Sequence, residues 1–382
     1  MKKLCFVATI PAVVHSFLKG HIRAAAKRWS VKIVSSPADA ELLSDLDVPF
    51  IPLAIERKVS PWRDLLALIQ LVILFRREHF DLVHSIMPKT GLLAMLAGWL
   101  ARVPNRIHTF TGQVWATKRG WKRVALKMFD KLIVSLATRI LVDGILQRDF
   151  LVAEGVLPRG KGVVIGRGSI CGVDAARFHP DMGSRSLVRQ ELGISSNDIV
   201  LLFLGRLNQD KGILDLAAAF ARIVPKHPNV VLILVGSDEG AYYSRLQEIC
   251  YAGQAQLRRI TFTPNPEHYM AAADIFCLPS YREGFSQTII EAAASQVPAV
   301  ASNIYGIADA VNDGETGLLF PPGDVTALTE ALLELIERPD LRQQMGRAAQ
   351  QHAVKFFSGQ KITGELVDIY SFLLEHSKCR MR

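Results

Sequence analysis

Short apolar runs alternate with longer helical patterns from one end of the chain to the other, and this alternation restricts the fold more than any other feature. Strand-like runs in the first half are Lys3–Ala8, Val31–Ser35, Phe50–Leu53, Asp81–Ser85, Arg106–Phe110, Ile140–Asp143 and Val163–Ile165. The second half repeats the scheme with Ile199–Leu204, Val230–Val235, Ile260–Thr263, Ile275–Leu278, Ala299–Ala301 and Gly317–Phe320. Helical patterns lie between them, among them Trp62–Arg77, Thr90–Ala101, Trp121–Leu136, Leu214–Ile223, Gln287–Ala294 and Val325–Glu337. Strands of this length separated by helices imply parallel sheets built from βαβ units. There are too many for one comfortable sheet. The expected fold is therefore α/β, with two doubly wound Rossmann-like domains facing across a cleft at the carboxyl ends of their strands. The stretch Phe178–Ser184, with Pro180 and Gly183, marks the boundary. It gives an N-terminal domain over 1–180, a C-terminal domain over 181–360, and a last helix over 361–382 that can pack back on the N-terminal domain.

Charge separates the same two halves. Residues 1–180 carry 27 Lys and Arg against 13 Asp and Glu, while residues 181–382 carry 18 against 23. The basic half should meet something anionic, and the acidic half should not. Cys5, Cys171, Cys250, Cys277 and Cys379 are odd in number and scattered, which fits reduced thiols and excludes a disulfide framework or a zinc cluster. The longest apolar stretches, Leu65–Phe75 and Gly91–Ala101, fall well short of the ~20 residues a spanning helix needs. The apolar N-terminal run ends at Pro11 and reads as a buried strand, not a signal peptide. A cytoplasmic protein follows.

Two stretches carry the chemistry. In the first, the strand ending at Leu204 runs into Gly205-Arg206, and Lys211-Gly212 follows. This places two cations at the carboxyl end of a strand, where a glycine lets a ligand approach the backbone. Arg offers a planar fork to phosphate and Lys a mobile point charge. The second is Pro279–Ala292, with Glu283, Gly284, Phe285, Ser286 and Glu291. Ser286 reads as an N-cap, so Gln287 opens a helix whose free N–H groups and dipole favour an anion or a polarised sugar oxygen. On one helix Glu283 and Glu291 would stand ~12 Å apart. With Glu283 in the loop and Glu291 a turn inside, they can grip two ends of an extended ligand. Asp45-Leu46-Asp47 is the one D-x-D. It lies far from the phosphate-binding turn and reads as a surface loop, so no metal site is expected.

Taken together, Gly205-Arg206, Lys211, the Glu283/Glu291 pair and Thr316-Gly317-Leu318 resemble the retaining GT-B glycosyltransferases of family 4. Gly172-Val173-Asp174 with Phe178-His179-Pro180 is similar to that family's inter-domain signature. Pro88–Leu93 with His108–Gln113 resembles the subgroup that builds bacterial surface polysaccharides such as capsule and O-antigen. The resemblance implies a hexosyl- or N-acetylhexosaminyl-transferase that works with retention and without a metal or other cofactor. Its donor would be a nucleoside-diphosphate sugar, UDP-linked, and its acceptor a lipid-diphosphate-linked saccharide. Arg206 and Lys211 would stabilise the leaving diphosphate, and Glu283 would bind donor-sugar hydroxyls. Glu291 would hold the ribose, and Gly205 with the backbone of Gly284, Phe285 and Ser286 would line the donor. On the acceptor side, His84, Lys89, His108, Thr111 and Gly112 are the candidates. Thr111 stands where many members carry a catalytic His. A nucleotide-sugar epimerase, a phosphorylase and a non-catalytic pathway scaffold are the competing functions.

Trp115, Lys118, Arg119, Trp121, Lys122 and Arg123 set cations around two indoles. That is the composition of an interfacial membrane contact. With no recognisable nucleic-acid-binding motif, an anionic membrane surface is the expected partner, and nucleic acid is not. The enzyme would then lie peripherally on the inner face of the cell membrane.

Overall fold

The computed structural model describes residues 1–56 and 60–376. Cys379 and the end of the expected last helix lie outside them. The chain divides into two compact units. The first comprises Met1–Cys171 and the helix Gly359–His376, and the second is Gly172–Ser358.

In the first unit, seven strands form one parallel sheet: β1 (Lys3–Val7), β2 (Ser30–Ser35), β3 (Phe50–Pro52), β4 (Leu82–Ile86), β5 (Asn105–Phe110), β6 (Arg139–Val142) and β7 (Gly162–Val164). Their spatial order is β3-β2-β1-β4-β5-β6-β7. The apolar N-terminal run is thus a central strand, with Leu4 through Val7 fully buried. The helix Gly359–His376 belongs to this unit. It buries Ile362, Leu366, Tyr370 and Leu374 in the core that also holds Phe6 and Ile22.

The second unit has β8 (Ile199–Leu204), β9 (Val230–Val235), β10 (Leu257–Ile260), β11 (Ile275–Leu278), β12 (Ala299–Ser302) and β13 (Gly317–Phe320). Their order is β10-β9-β8-β11-β12-β13, again all parallel. β8, β9 and β11 are almost wholly apolar and buried on both faces, as strands covered by helices on each side must be.

The division falls after Cys171, not at 180. Val173 already belongs to the second unit, its N–H donating to the Phe357 carbonyl at 2.7 Å. Phe178 is buried in the same core. The strand expected at Ile260–Thr263 lies earlier, over Leu257–Ile260. Phe262 is exposed, whereas Arg259 reaches inward and donates to the Leu234 carbonyl.

Candidate functional site

Strand order in the second sheet reverses between β8 and β11, and at such a switch point the loops leaving neighbouring strands diverge and leave room for a ligand. The loop after β8 carries Arg206 and Lys211; the loop after β11 carries Glu283. They are tied together. Tyr281 N–H donates to the Asp210 carbonyl at 2.8 Å, Arg282 bridges to Asp210 at 2.8 Å, and the Tyr281 hydroxyl donates to Asp215 at 2.7 Å. Asn208 caps the turn Gln209–Lys211, its side-chain oxygen accepting from Lys211 N–H at 3.1 Å. Gly212 then enters the helix Ile213–Ile223 at φ +63°, where a Cβ would stand 1.9 Å from the Pro279 carbonyl oxygen. Only glycine permits that approach.

Both cations have carboxylate partners. Lys211 Nζ is bound to Glu283 Oε1, which also accepts from the Ser280 hydroxyl at 2.8 Å. Arg206 donates to both oxygens of Glu239, at 3.0 and 2.9 Å, and Asn208 Nδ2 joins it at 2.9 Å. The sequence reading missed Glu239. It follows β9 in Gly236-Ser237-Asp238-Glu239-Gly240, a glycine-bounded turn of the kind that drew attention after β8. It also missed Gly306, where a Cβ would stand 2.5 Å from the Glu283 carbonyl oxygen.

Ser286 occupies the N-cap of the helix Gln287–Ala294, but its side chain makes no cap bond. Its hydroxyl lies 3.3 Å from that of Thr288. Its N–H donates to the Gly306 carbonyl at 2.9 Å. The Phe285 ring packs toward the core against Phe357, ring centroids 5.3 Å apart, which leaves its backbone, with that of Gly284, on the loop. Gly205 N–H continues the sheet ladder to the Val235 carbonyl at 2.9 Å. One turn into the helix, Glu291 is half-buried, and desolvation pushes its carboxyl up to about 7 against a hydrogen bond from Gln287 and the charge of Arg177. This raised value decides a sign. The group's contribution to stability is full below the ordinary carboxylate range and is lost as pH rises through about 7.

The first unit treats its candidates differently. His84 is buried with both ring nitrogens engaged, Nδ1 with the Tyr370 hydroxyl at 2.6 Å and Nε2 with Thr109 at 2.7 Å. His108 is buried beside Ser85 at 2.9 Å. The helix Pro88–Leu100 seals its ring, since a Cβ on Gly91 would stand 2.3 Å from it. Burial lowers both imidazoles to about 3, and neither ring is exposed. Lys89 pairs with Asp64 at 2.5 Å. The Thr111 carbonyl accepts from Gln113 and Gln147 at 2.7 and 2.8 Å, and Gly112 follows it, half-buried. Asp45 is occupied by Lys19 and Arg23.

The expected membrane cluster is split. Trp115 is buried, donating to Asp130 at 2.6 Å and stacking on Phe150. Arg123 lies over its ring and bridges to Glu154 at 2.8 Å. Trp115 faces inward, where its indole N–H finds the buried partner it needs, and Arg123 is half-buried against it. Lys118, Arg119, Trp121 and Lys122 remain exposed.

Residues 184–352 match the family model for glycosyl transferases group 1, and residues 19–168 match that for the glycosyl transferase 4-like domain. D-inositol 3-phosphate glycosyltransferase of Saccharomonospora viridis is 30% identical over 319 residues, covering 76% of this chain and 70% of that one. The chain belongs to the group 1 glycosyltransferases. Capsular polysaccharide biosynthesis glycosyltransferase CapM of Staphylococcus aureus is 29% identical over 92% of each chain. UDP-Gal:alpha-D-GlcNAc-diphosphoundecaprenol alpha-1,3-galactosyltransferase of Escherichia coli is 27% identical over 82% of this chain and 81% of that one. Among solved structures, HepE of Anabaena in complex with UDP and glucose superposes with a TM-score of 0.82 at 20% identity, covering 97% of this chain and all of that one. The glycosyltransferase has the GT-B fold. All the cations and carboxylates drawn from the second half fall inside the group 1 match.

Proposed function

We propose that this glycosyltransferase moves a sugar, with retention, from a UDP-linked donor to a lipid-diphosphate-linked saccharide during surface-polysaccharide assembly, at the inner face of the cell membrane. The observation that carries this reading is the joining of two loops at the sheet's switch point, which pairs Lys211 with Glu283 just ahead of the helix Gln287–Ala294, with Arg206 on the same loop as Lys211. Such a site answers a substrate with negative charge at one end and hydroxyls at the other. Arg206 and Lys211 exchange their carboxylate partners for the diphosphate and hold it as it departs, where charge develops in the transition state. Glu283, released from Lys211, accepts from donor-sugar hydroxyls. The backbone of Gly284 and Phe285 faces the sugar or the β-phosphate, and Glu291 holds the ribose. Two cations and a helix terminus supply the positive charge this transfer needs, so the proposal calls for no metal. Kinship with CapM and with the E. coli enzyme, whose name specifies a diphosphoundecaprenol-linked acceptor, supports the acceptor class. Donor binding belongs in this reading to the second unit and acceptor binding to the first.

The test is to incubate the purified protein with a panel of nucleotide sugars and lipid-diphosphate saccharides and read products by mass. The expected result is one added sugar on the lipid, with the donor's anomeric configuration kept by NMR. An epimerised donor formed without acceptor, or a bound donor that never turns over, would overturn it.

The Glu291 assignment makes a pH prediction. A carboxyl with its pKa near 7 is mostly neutral at pH 6 and mostly ionised at pH 8, and ribose hydroxyls donate best to the ionised form. UDP affinity should therefore rise by about tenfold between those pH values beyond the change seen in Glu291→Gln. Parallel pH profiles of wild type and variant, by calorimetry, would remove Glu291 from the ribose site.

A further inference from the structure

The second unit opens on Gly172-Val173-Asp174 and runs on to Phe178-His179-Pro180, a motif to which the donor site described above gives no role. The segment is tied down along its length. Val173 N–H donates to the Phe357 carbonyl at 2.7 Å, and its side chain is buried in the unit's core. Asp174 folds a tight turn. Its carbonyl accepts from Arg177 and Phe178 N–H at 3.1 and 2.8 Å, and its carboxylate accepts from Ala176 N–H at 3.0 Å. That turn delivers Arg177, whose guanidinium lies 5.2 Å from the centroid of the Phe178 ring. The same guanidinium donates twice to Glu267, at 3.0 and 2.7 Å, and once to the Pro264 carbonyl at 3.0 Å. A planar fork held by an aromatic face, a carboxylate and a carbonyl is fixed in place.

Gly172 takes a left-handed φ of +65°, and its carbonyl accepts from Gln287 Nε2 at 2.6 Å. Gln287 is the first residue of the helix Gln287–Ala294, one turn before Glu291, so the two side chains share a helix face. A carboxamide nitrogen carries two donors. One serves Gly172, and the Glu291 carboxyl also receives a hydrogen bond from Gln287. A side chain needed only to satisfy the Gly172 carbonyl would not have to reach Glu291 as well. Arg177 acts on the same carboxyl through its charge. Around them, the helix Pro266–Ala272 brings Glu267, His268 and Tyr269, and of these Glu267 opposes Arg177. The helix Pro339–Phe356 turns Met345, Gly346, Ala349 and Ala353 inward, with His352 beside Phe357. β11 and β12 add only the Cys277 thiol, which burial pushes up.

We propose that Gly172–Phe178 is a strap that positions Glu291: Gln287, braced on the Gly172 carbonyl, and Arg177, braced on Glu267 and Phe178, hold the carboxylate ready for the ribose. Both are positioning residues that act through Glu291, and both favour its ionised form, by hydrogen bond and by charge. The inference deepens the donor reading and rests on it for the identity of the ligand.

The experiment follows the Glu291 carboxyl by ¹³C NMR titration of the full chain without nucleotide, its signal identified by its absence in Glu291→Gln. Gln287→Met keeps the length of the side chain and removes both donors, so the midpoint should rise by about one pH unit. Arg177→Gln, at an exposed position where folding should be kept, should raise it at low salt and much less at salt that screens surface charge. Calorimetry with UDP reads the consequence. In Gln287→Met, affinity at pH 7 should fall about fivefold and return toward wild type by about pH 9, a recovery that a merely distorted helix start would not show. An unmoved midpoint in Gln287→Met, or in Arg177→Gln at low salt, would overturn the proposal. Moved midpoints beside a wild-type UDP affinity that ignores the ionisation of Glu291 would support the strap and remove the ribose assignment instead.

Discussion

Lys211→Ala should lower transfer by about 10²–10³-fold, the equivalent of about 2.7–4 kcal/mol for one donor lost from a developing anion. Arg206→Ala should fall at the lower end of that range. The reason is exposure: the Lys211 side chain is 19% accessible and that of Arg206 44%, and water screens the more open charge better. The effect should appear mainly in kcat, since the diphosphate carries its extra charge only as the bond to the sugar breaks. Glu239 provides the opposite control. It holds Arg206 through both oxygens, so a diphosphate must displace it, and Glu239→Gln should tighten UDP binding. Steady-state kinetics with mass-detected product and calorimetry with UDP read the two effects separately. Undiminished transfer in both alanine variants would take the two cations out of the mechanism.

Tyr370→Ala should be the most damaging single change to the first unit. The ring is fully buried among Phe6, Trp29 and His84, and truncating a large buried aromatic costs about 3–5 kcal/mol. Its hydroxyl also partners His84 Nδ1, which the alanine would leave buried and unpaired. Two units need not melt as one. Calorimetry should therefore show one transition lowered by roughly 10 °C, with the other, and UDP binding, unchanged. Tyr370→Phe keeps the ring and should lose only the hydrogen bond, about 1–3 kcal/mol. Equal lowering of both transitions by Tyr370→Ala would mean that the helix supports the second unit as well.

What could be read in the sequence follows from where the information sits. β8, β9, β11 and the helix Gln287–Ala294 lie where expected, because strands buried on both faces leave unbroken apolar runs and a helix start leaves a local signature. Arg206, Lys211 and Glu283 stood out because each lies within a few residues of a strand end. Glu239 was hidden because it meets Arg206 from 33 residues away, through pairing of β8 with β9 that no local pattern displays. Trp115 was misread for a related reason. Composition gives an indole among cations, but whether it points in or out depends on Asp130 and Phe150. β10 was displaced in the reading because Arg258 and Arg259 look like surface residues until their guanidinium groups are seen bonded to backbone carbonyls.

The return of the helix Gly359–His376 to the first unit has a consequence for how the chain is made. On the ribosome the second unit is continuous, and it can close as soon as its own residues have emerged. The first unit emerges earlier but waits. Until Tyr370 arrives, the core around Phe6 and Ile22 stands uncovered and His84 Nδ1 lacks its partner. A nascent chain arrested after the second unit should thus hold a finished second unit beside an unfinished first one, and its exposed apolar surface should recruit chaperones until synthesis resumes.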